Sequence, residues 1–97
     1  MRIIDKIPSR EPCAEAGWYA WDYLLDRPAD DDFILSLRPL GAFTYLRALK
    51  KPFYKIESEY LHIRGMKGDD YVRVAANDGH REALAAIETL VNGENAQ

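Results

Sequence analysis

The sequence predicts a single α+β domain, residues 1–97, in which helices pack on one face of a mostly antiparallel sheet of four to five short strands. Segments of helical periodicity alternate with short runs of β-forming residues, and three such runs follow one another between residues 53 and 75. A chain of 97 residues is long enough to close one hydrophobic core. The order is loosely ferredoxin-like with an extra N-terminal helix, an analogy of geometry that says nothing about function.

The N-terminal segment, residues 1–11, is interpreted as a strand or a flexible arm. Residues 2–7 are partly apolar, and the segment from Pro8 to Pro12 is a polar break bracketed by two prolines. Pro12 suits the first position of a helix, and the pattern stays helical as far as Asp26, before Pro28 ends it. We therefore predict a helix over residues 12–26.

This predicted helix has an unusually wide apolar face. A surface helix needs an apolar arc of about 100°, whereas here only Glu15, Asp22 and Asp26 form a polar line. Either the helix is buried deeply within one chain, or one side packs on the sheet and the other contacts a second subunit or a protein partner. The second alternative assigns partner contact to four aromatic side chains: Trp18, Trp21, Tyr23 and Tyr19.

The central part of the chain predicts a strand and a second helix. Residues 29–32 form an acidic loop, and the apolar run over residues 33–37 is typical of an interior strand. Residues 39–51 carry an apolar stripe at helical spacing, which Pro52 ends. That stripe contains Phe43, Leu46 and Leu49.

Three strands and a final helix are predicted in the C-terminal half. The strands cover residues 53–57, 60–64 and 71–75. Their alternation assigns one face to the core: Tyr54, Ile56, Leu61, Ile63, Val72 and Val74. Asn77 or Asp78 caps the final helix, and residues 94–97 are expected to fray. The buried stripe of this helix is predicted to contain Leu84, Ile87 and Val91.

The opposite face of these strands carries mainly aromatic and basic side chains: Lys55, Tyr60, His62, Arg64, Tyr71 and Arg73. Such a surface can stack bases and contact phosphates, as sheets that bind single-stranded nucleic acid do, or it can hold a small anion. Alternatively, the same residues form an exposed sheet face whose cross-strand pairs stabilise the sheet without any ligand.

Charge and composition limit the classes of function. The net charge of −3 disfavours a dedicated nucleic-acid binder, although residues 38–73 hold eight basic and four acidic groups. The single cysteine, Cys13, excludes an internal disulfide, and with no apolar leader at the N-terminus it indicates the cytoplasm. No apolar run approaches the roughly 18 residues that a membrane span requires.

Signals for catalysis or for a metal or cofactor are weak. Residues 65–68 (GMKG) match the G-x-x-G loop of KH modules, but they lie between predicted strands, where a hairpin turn is the better interpretation. His62 and His80 lie on different elements, and with one cysteine they give no familiar zinc-ligand spacing. We therefore expect no metal and no cofactor.

The sequence does not determine a biochemical function. The leading hypothesis is a small non-enzymatic binding or assembly module that acts by self-association or through a protein partner. The alternative is binding of nucleic acid or a small anion on the aromatic–basic face. A third possibility is a small enzyme that uses His62.

Overall fold

The chain folds into six antiparallel strands and two α-helices in the computed structural model, which describes residues 1–11 and 15–93. In chain order the elements are β1 (Ile3–Pro8), β2 (Trp18–Leu25), α1 (Asp31–Ser36), β3 (Ala42–Leu46), β4 (Phe53–Glu57), β5 (Leu61–Met66), β6 (Tyr71–Asn77) and α2 (Leu84–Gly93). Two short 3₁₀ segments, Arg38–Leu40 and Asp78–Ala83, precede β3 and α2.

The sheet corrects the predicted fold class. Its strands lie side by side in the order β1-β2-β6-β5-β4-β3, so the described residues form six strands rather than four to five. The loosely ferredoxin-like order is wrong as well, because residues 33–37 are not a strand and lie largely in α1. The N-terminal strand, which the sequence left optional, is formed as β1.

The predicted N-terminal helix is wrong, because the aromatic segment Trp18–Leu25 is a strand. β2 lies between β1 and β6, and its side chains alternate between the two faces of the sheet. Since both faces of this central strand carry apolar side chains, the run looks apolar on every side of a helical projection. Gly17, with a φ of 82°, forms the turn that leads into the strand. The predicted helix start at Pro12, the cysteine Cys13 and the tail 94–97 lie outside the described residues.

The predicted acidic loop and strand over residues 29–37 are instead an N-capped helix. The Asp30 carboxylate accepts a hydrogen bond of 2.9 Å from the Phe33 amide and caps α1. The next two residues are also acidic and lie in the first turn, where negative charge suits the helix dipole. The side chains that bury this helix on the sheet are Phe33, Ile34 and, at the C-cap, Leu37.

The predicted second helix, residues 39–51, is also wrong. Only Arg38–Leu40 is helical, as one 3₁₀ turn, and the segment Ala42–Leu46 (AFTYL) pairs with β4. The aromatic and β-branched side chains of this segment favour a strand and outweigh the helical spacing. Leu46 and Leu49, which were assigned to the apolar stripe of this helix, are 47% and 50% exposed.

The three consecutive strands and the final helix are confirmed. β4, β5 and β6 form an antiparallel meander, and their predicted core side chains are all buried: Tyr54, Ile56, Leu61, Ile63, Val72 and Val74. Asn77 caps the 3₁₀ segment before α2, since its side chain accepts a hydrogen bond of 3.1 Å from the Gly79 amide. The buried side chains of α2 are the predicted ones: Leu84, Ile87 and Val91.

The core lies between one face of the sheet and both helices. Side chains of α1 and α2 join those of β2, β4, β5 and β6 in one buried cluster. The radius of gyration is 12.6 Å, close to the value of about 12.5 Å for a compact domain of this length. Within the described residues, no helix combines the length and apolarity needed to cross a membrane.

Candidate anion site on the open face of the sheet

The face of the sheet opposite the helices, here called the open face, carries the side chains that alternate with the core residues. It includes Asp22, Phe53, Lys55, His62, Arg64, Met66, Tyr71 and Arg73. Both α-helices pack on the other side, and no further α-helix is present in the part of the chain that the structure describes. A site here is therefore built from strand side chains held at fixed spacing.

Three basic side chains lie in one row across the open face. The register pairs Lys55 with Arg64 and Arg64 with Arg73, so cations on β4, β5 and β6 are direct cross-strand neighbours. We call Lys55, Arg64 and Arg73 the basic row. Like charges directly opposite one another destabilise a sheet, so this arrangement favours an anion near the row.

Asp22 on β2 is the next residue along the basic row, because it pairs with Arg73 in the register of β2 and β6. Its side chain is 2% exposed. The carboxylate accepts hydrogen bonds of 2.8 Å from Ser9 Oγ, 3.1 Å from Arg10 Nε and 3.3 Å from the Arg10 amide. Burying a charged group is unfavourable unless it is bonded in this way. Asp22 therefore holds Ser9 and Arg10, which follow β1, in position over the sheet.

Glu11 extends this segment onto the basic row. Its Oε2 lies 2.6 Å from Arg64 Nη2, and its main-chain carbonyl accepts a hydrogen bond of 2.9 Å from Arg73 Nε. The Arg64 and Glu11 side chains are 48% and 72% exposed, so their ion pair is solvated and weak. We call the segment formed by Ser9, Arg10 and Glu11 the strap.

The strap and the sheet border a cavity of about 480 Å³. One part of its lining, here called the apolar wall, consists of Phe53, Met66 and Tyr71. Three arginines also line it: Arg10, Arg64 and Arg73. The volume lies in the range of about 300–1,000 Å³ found for small-molecule sites. Apolar surface beside guanidinium groups suits a small organic anion.

Two further charged pairs lie at the edge of this cavity. Hydrogen bonding to Asp22 raises the pKa of Arg10 above its ordinary value, and Arg10 Cζ lies 4.6 Å from the centre of the Tyr71 ring. Asp69 forms an ion pair of 2.8 Å with Lys51, and this hydrogen bond raises the pKa of Lys51. Asp22 and Asp69 are therefore each paired with their own cation, whereas the Glu11 carboxylate pairs with Arg64 of the basic row.

The structure brings half of the predicted ligand-binding residues to this cavity. Arg64, Tyr71 and Arg73 line it. Lys55 belongs to the basic row but does not line the cavity, and its ammonium forms an ion pair of 3.2 Å with Glu57.

The other two predicted ligand residues are engaged elsewhere. The His62 ring lies on the open face and stacks on Trp18, with 4.3 Å between the ring centres. Tyr60 precedes β5 and stacks on His80, with 3.5 Å between the ring centres. The predicted set is therefore divided between the cavity and two aromatic pairs.

Sequence reasoning missed the strap and two of the three residues of the apolar wall, Phe53 and Met66. Asp22 was assigned to the polar line of a helix, yet one acidic residue inside an apolar strand signals a buried carboxylate with partners. Phe53 lies two residues before Lys55 on the same strand, so strand alternation places both side chains on the open face. No local signal in the sequence places Arg10 above this face.

The four aromatic side chains predicted for partner contact do not share a surface. Trp21 and Tyr23 lie on the core side of β2, and Tyr23 is fully buried. Trp18 lies on the open face, whereas Tyr19 is 49% exposed and has Arg81 Cζ 5.4 Å from its ring centre. Self-association stays a prediction. The wide apolar helix from which it was inferred is not formed, because Trp18–Leu25 is a strand.

The described residues suggest no metal centre, since no group of three or more His, Cys, Asp or Glu side chains within them is placed to hold an ion. Comparison of the chain with protein-family models, curated proteins and solved structures finds no match. The fold and the site thus define the class on their own: a small α+β domain with an amphipathic cavity on the open face of its sheet.

Proposed function

We propose that this protein is a non-enzymatic binding module that holds a small organic anion in the cavity of the open face. The observation that carries the proposal is the position of Arg64 and Arg73, facing each other across two strands beside the apolar wall. The anionic group binds the guanidinium groups, and a flat apolar part of the ligand packs on the apolar wall. With one cysteine in 97 residues, we place the module in the cytoplasm.

A small ligand suits this site better than a nucleic-acid chain. The strap borders the cavity on one side, and the neighbouring Lys55 is already paired with Glu57. The chain carries a net charge of −3, so a long polyanion is repelled once it extends beyond the arginines. A compact ligand with one anionic group gains the guanidinium contacts without that repulsion.

Titration with benzoate and benzamide, followed by NMR of the backbone amides, tests the proposal. The two compounds have nearly the same size and shape, but only benzoate is charged. We expect benzoate to shift the amide signals of β5 and β6 saturably, while benzamide causes no saturable shift. If neither benzoate nor its phosphate counterpart, phenyl phosphate, binds saturably, the proposed function is wrong. Steeply salt-dependent binding of a single-stranded oligonucleotide in its place would support the nucleic-acid alternative.

Variants of the basic row distinguish a defined site from general attraction. Arg64→Gln and Arg73→Gln should each weaken benzoate binding about five- to tenfold, because each removes charge-assisted hydrogen bonds from the cavity. Lys55→Gln is the matched control, since it removes the same charge from the same row without altering the cavity lining. If Lys55→Gln weakens binding as much as Arg64→Gln, benzoate is attracted by diffuse charge and not by this cavity.

A further inference from the structure

The strap already places the Glu11 carboxylate on Arg64, one of the two arginines that the proposed ligand would use. Glu11 contacts both of them, with its carboxylate at 2.6 Å from Arg64 and its carbonyl at 2.9 Å from Arg73. The contact joins residues 53 positions apart in the chain, so it depends on the strap's position over the sheet. An internal carboxylate thus occupies the anion position on Arg64.

We infer that Glu11 is an internal competitor for this site, and that its carboxylate marks both the place and the chemical class of the ligand's anionic group. The inference rests on the proposed function. The ligand is then a carboxylate, which displaces the Glu11 side chain from Arg64 and forms the same charge-assisted hydrogen bonds. Glu11 lowers the affinity for every such ligand, because release of its side chain precedes binding.

The strap is built so that only the end of Glu11 has to move. Ser9 and Arg10 are held by the buried carboxylate of Asp22, and the Ser9 amide donates a hydrogen bond of 3.0 Å to the Ala20 carbonyl. The Glu11 side chain, in contrast, is 72% exposed. Its rotation into solvent breaks one solvated ion pair and leaves the anchors of the strap intact.

The charge around the cavity favours a carboxylate over a phosphate. A carboxylate that replaces Glu11 on Arg64 keeps the local charge balance that the folded chain already has. A phosphate monoester brings up to two negative charges close to Asp22 and Asp69, which line the same cavity. Repulsion from these carboxylates grows in proportion to the ligand's charge.

The test measures the affinities of benzoate and phenyl phosphate for the full chain and for two variants by NMR titration. Glu11→Gln removes the competing charge, and Glu57→Gln is the matched control, because it removes a carboxylate from the open face outside the cavity lining. We expect Glu11→Gln to bind benzoate about two- to fivefold more tightly than the wild type, the range set by an exposed ion pair. Glu57→Gln should bind like the wild type, and phenyl phosphate should bind more weakly than benzoate throughout.

The outcomes separate this inference from the proposed function. Equal benzoate affinity of the wild type and Glu11→Gln overturns the role of Glu11 and leaves the anion site standing. Tighter binding of phenyl phosphate than of benzoate overturns the ligand class. Absence of benzoate and phenyl phosphate binding in every variant overturns the proposed function itself. Glu11→Asp is a second variant, which keeps the charge but shortens the side chain, and it should bind benzoate more tightly than the wild type.

Discussion

The ring of Tyr54 on β4 lies across the main chain of Gly65, its cross-strand partner on β5. A Cβ placed on Gly65 would lie 2.5 Å from the Tyr54 hydroxyl oxygen and 2.7 Å from its Cζ, well inside van der Waals contact. Because Tyr54 is fully buried, its ring has little space into which it can move. The core therefore requires that residue 65 has no side chain.

We expect Gly65→Ala to lower the free energy of unfolding by about 1–3 kcal/mol, because the added methyl group overpacks the core at Tyr54. Urea denaturation followed by tryptophan fluorescence measures this loss. Gly79→Ala is the control, since the nearest atom to a Cβ there is Asn77 Oδ1 at 3.5 Å, an ordinary contact. An equal loss in the two variants would attribute the effect to glycine in general and not to Tyr54.

The same tyrosine has a hydroxyl group that is buried without a hydrogen-bond partner among the described residues. We expect Tyr54→Phe to leave the free energy of unfolding unchanged or to raise it by about 1 kcal/mol, because the unsatisfied group is removed. In Tyr23→Phe, the loss of a 2.6 Å hydrogen bond to Glu88 should instead lower it by about 1–2 kcal/mol. Chemical denaturation of both variants checks the contrast, and a clear loss in Tyr54→Phe would contradict it.

These two tyrosines also predict a loss of stability in alkaline solution. Burial is the main cause that raises the pKa of both Tyr23 and Tyr54 above the ordinary 10.0, and the Glu88 hydrogen bond adds to the effect at Tyr23. Their contribution is complete below pH 10, the pKa in the unfolded chain. As the pH rises above 10, the unfolded chain loses tyrosine protons that the folded chain keeps, so the free energy of unfolding falls.

Urea midpoints between pH 8 and pH 11 measure this alkaline loss. In a variant that combines Tyr23→Phe with Tyr54→Phe, the fall above pH 10 should be smaller than in the wild type, because the two buried protons are absent. A fall of unchanged steepness in the double variant would assign the alkaline loss to other groups.

The sequence predicted the C-terminal half of the fold because local patterns and final positions agree there. In the middle of β4 and β5, buried apolar residues alternate with charged or polar ones, as in Lys55-Ile56-Glu57 and His62-Ile63-Arg64. The alternation therefore identified both Tyr54 as a core residue and Arg64 as an open-face residue. The N-terminal half lacks this agreement. Trp18–Leu25 carries apolar side chains on both faces, so the two-residue alternation of a strand cannot be recognised in its sequence. Its aromatic residues, which favour strands, were the better predictor of its structure.

The candidate site was predictable only in part, because it joins elements that are distant in sequence. Alternation within one meander placed Arg64, Tyr71 and Arg73 on one surface. The contact of Glu11 with Arg64 spans 53 residues, and it forms only because β1 and β2 lie next to β6 in the sheet. Because residues 12–26 were predicted to form a helix, this part of the chain was not predicted to lie in the sheet beside β6. The role of Asp30 was not predicted either. Asp30 was assigned to an acidic loop, whereas its side chain is the N-cap of α1.

The buried carboxylate of Asp22 predicts how firmly the strap is held. In Asp22→Asn the side chain keeps its shape but loses its charge, so the bonds from Ser9 and Arg10 weaken or are lost. We expect the free energy of unfolding to fall by about 1–2 kcal/mol. Breaking a fully buried ion pair lowers the free energy of unfolding by about 3–5 kcal/mol. We expect a smaller loss here, because the Arg10 side chain is 65% exposed and water replaces its partner.

Hydrogen exchange of the Ser9 amide separates loosening of the strap from loss of global stability. This amide donates to the Ala20 carbonyl at 3.0 Å, and its protection should fall by a larger factor in Asp22→Asn than that of core amides in β5. Asp70→Asn is the control, because Asp70 is an exposed carboxylate near Arg10 that neither lines the cavity nor bonds the strap. Unchanged protection of Ser9 in Asp22→Asn would show that the main chain of β1 and β2 holds the strap without the carboxylate.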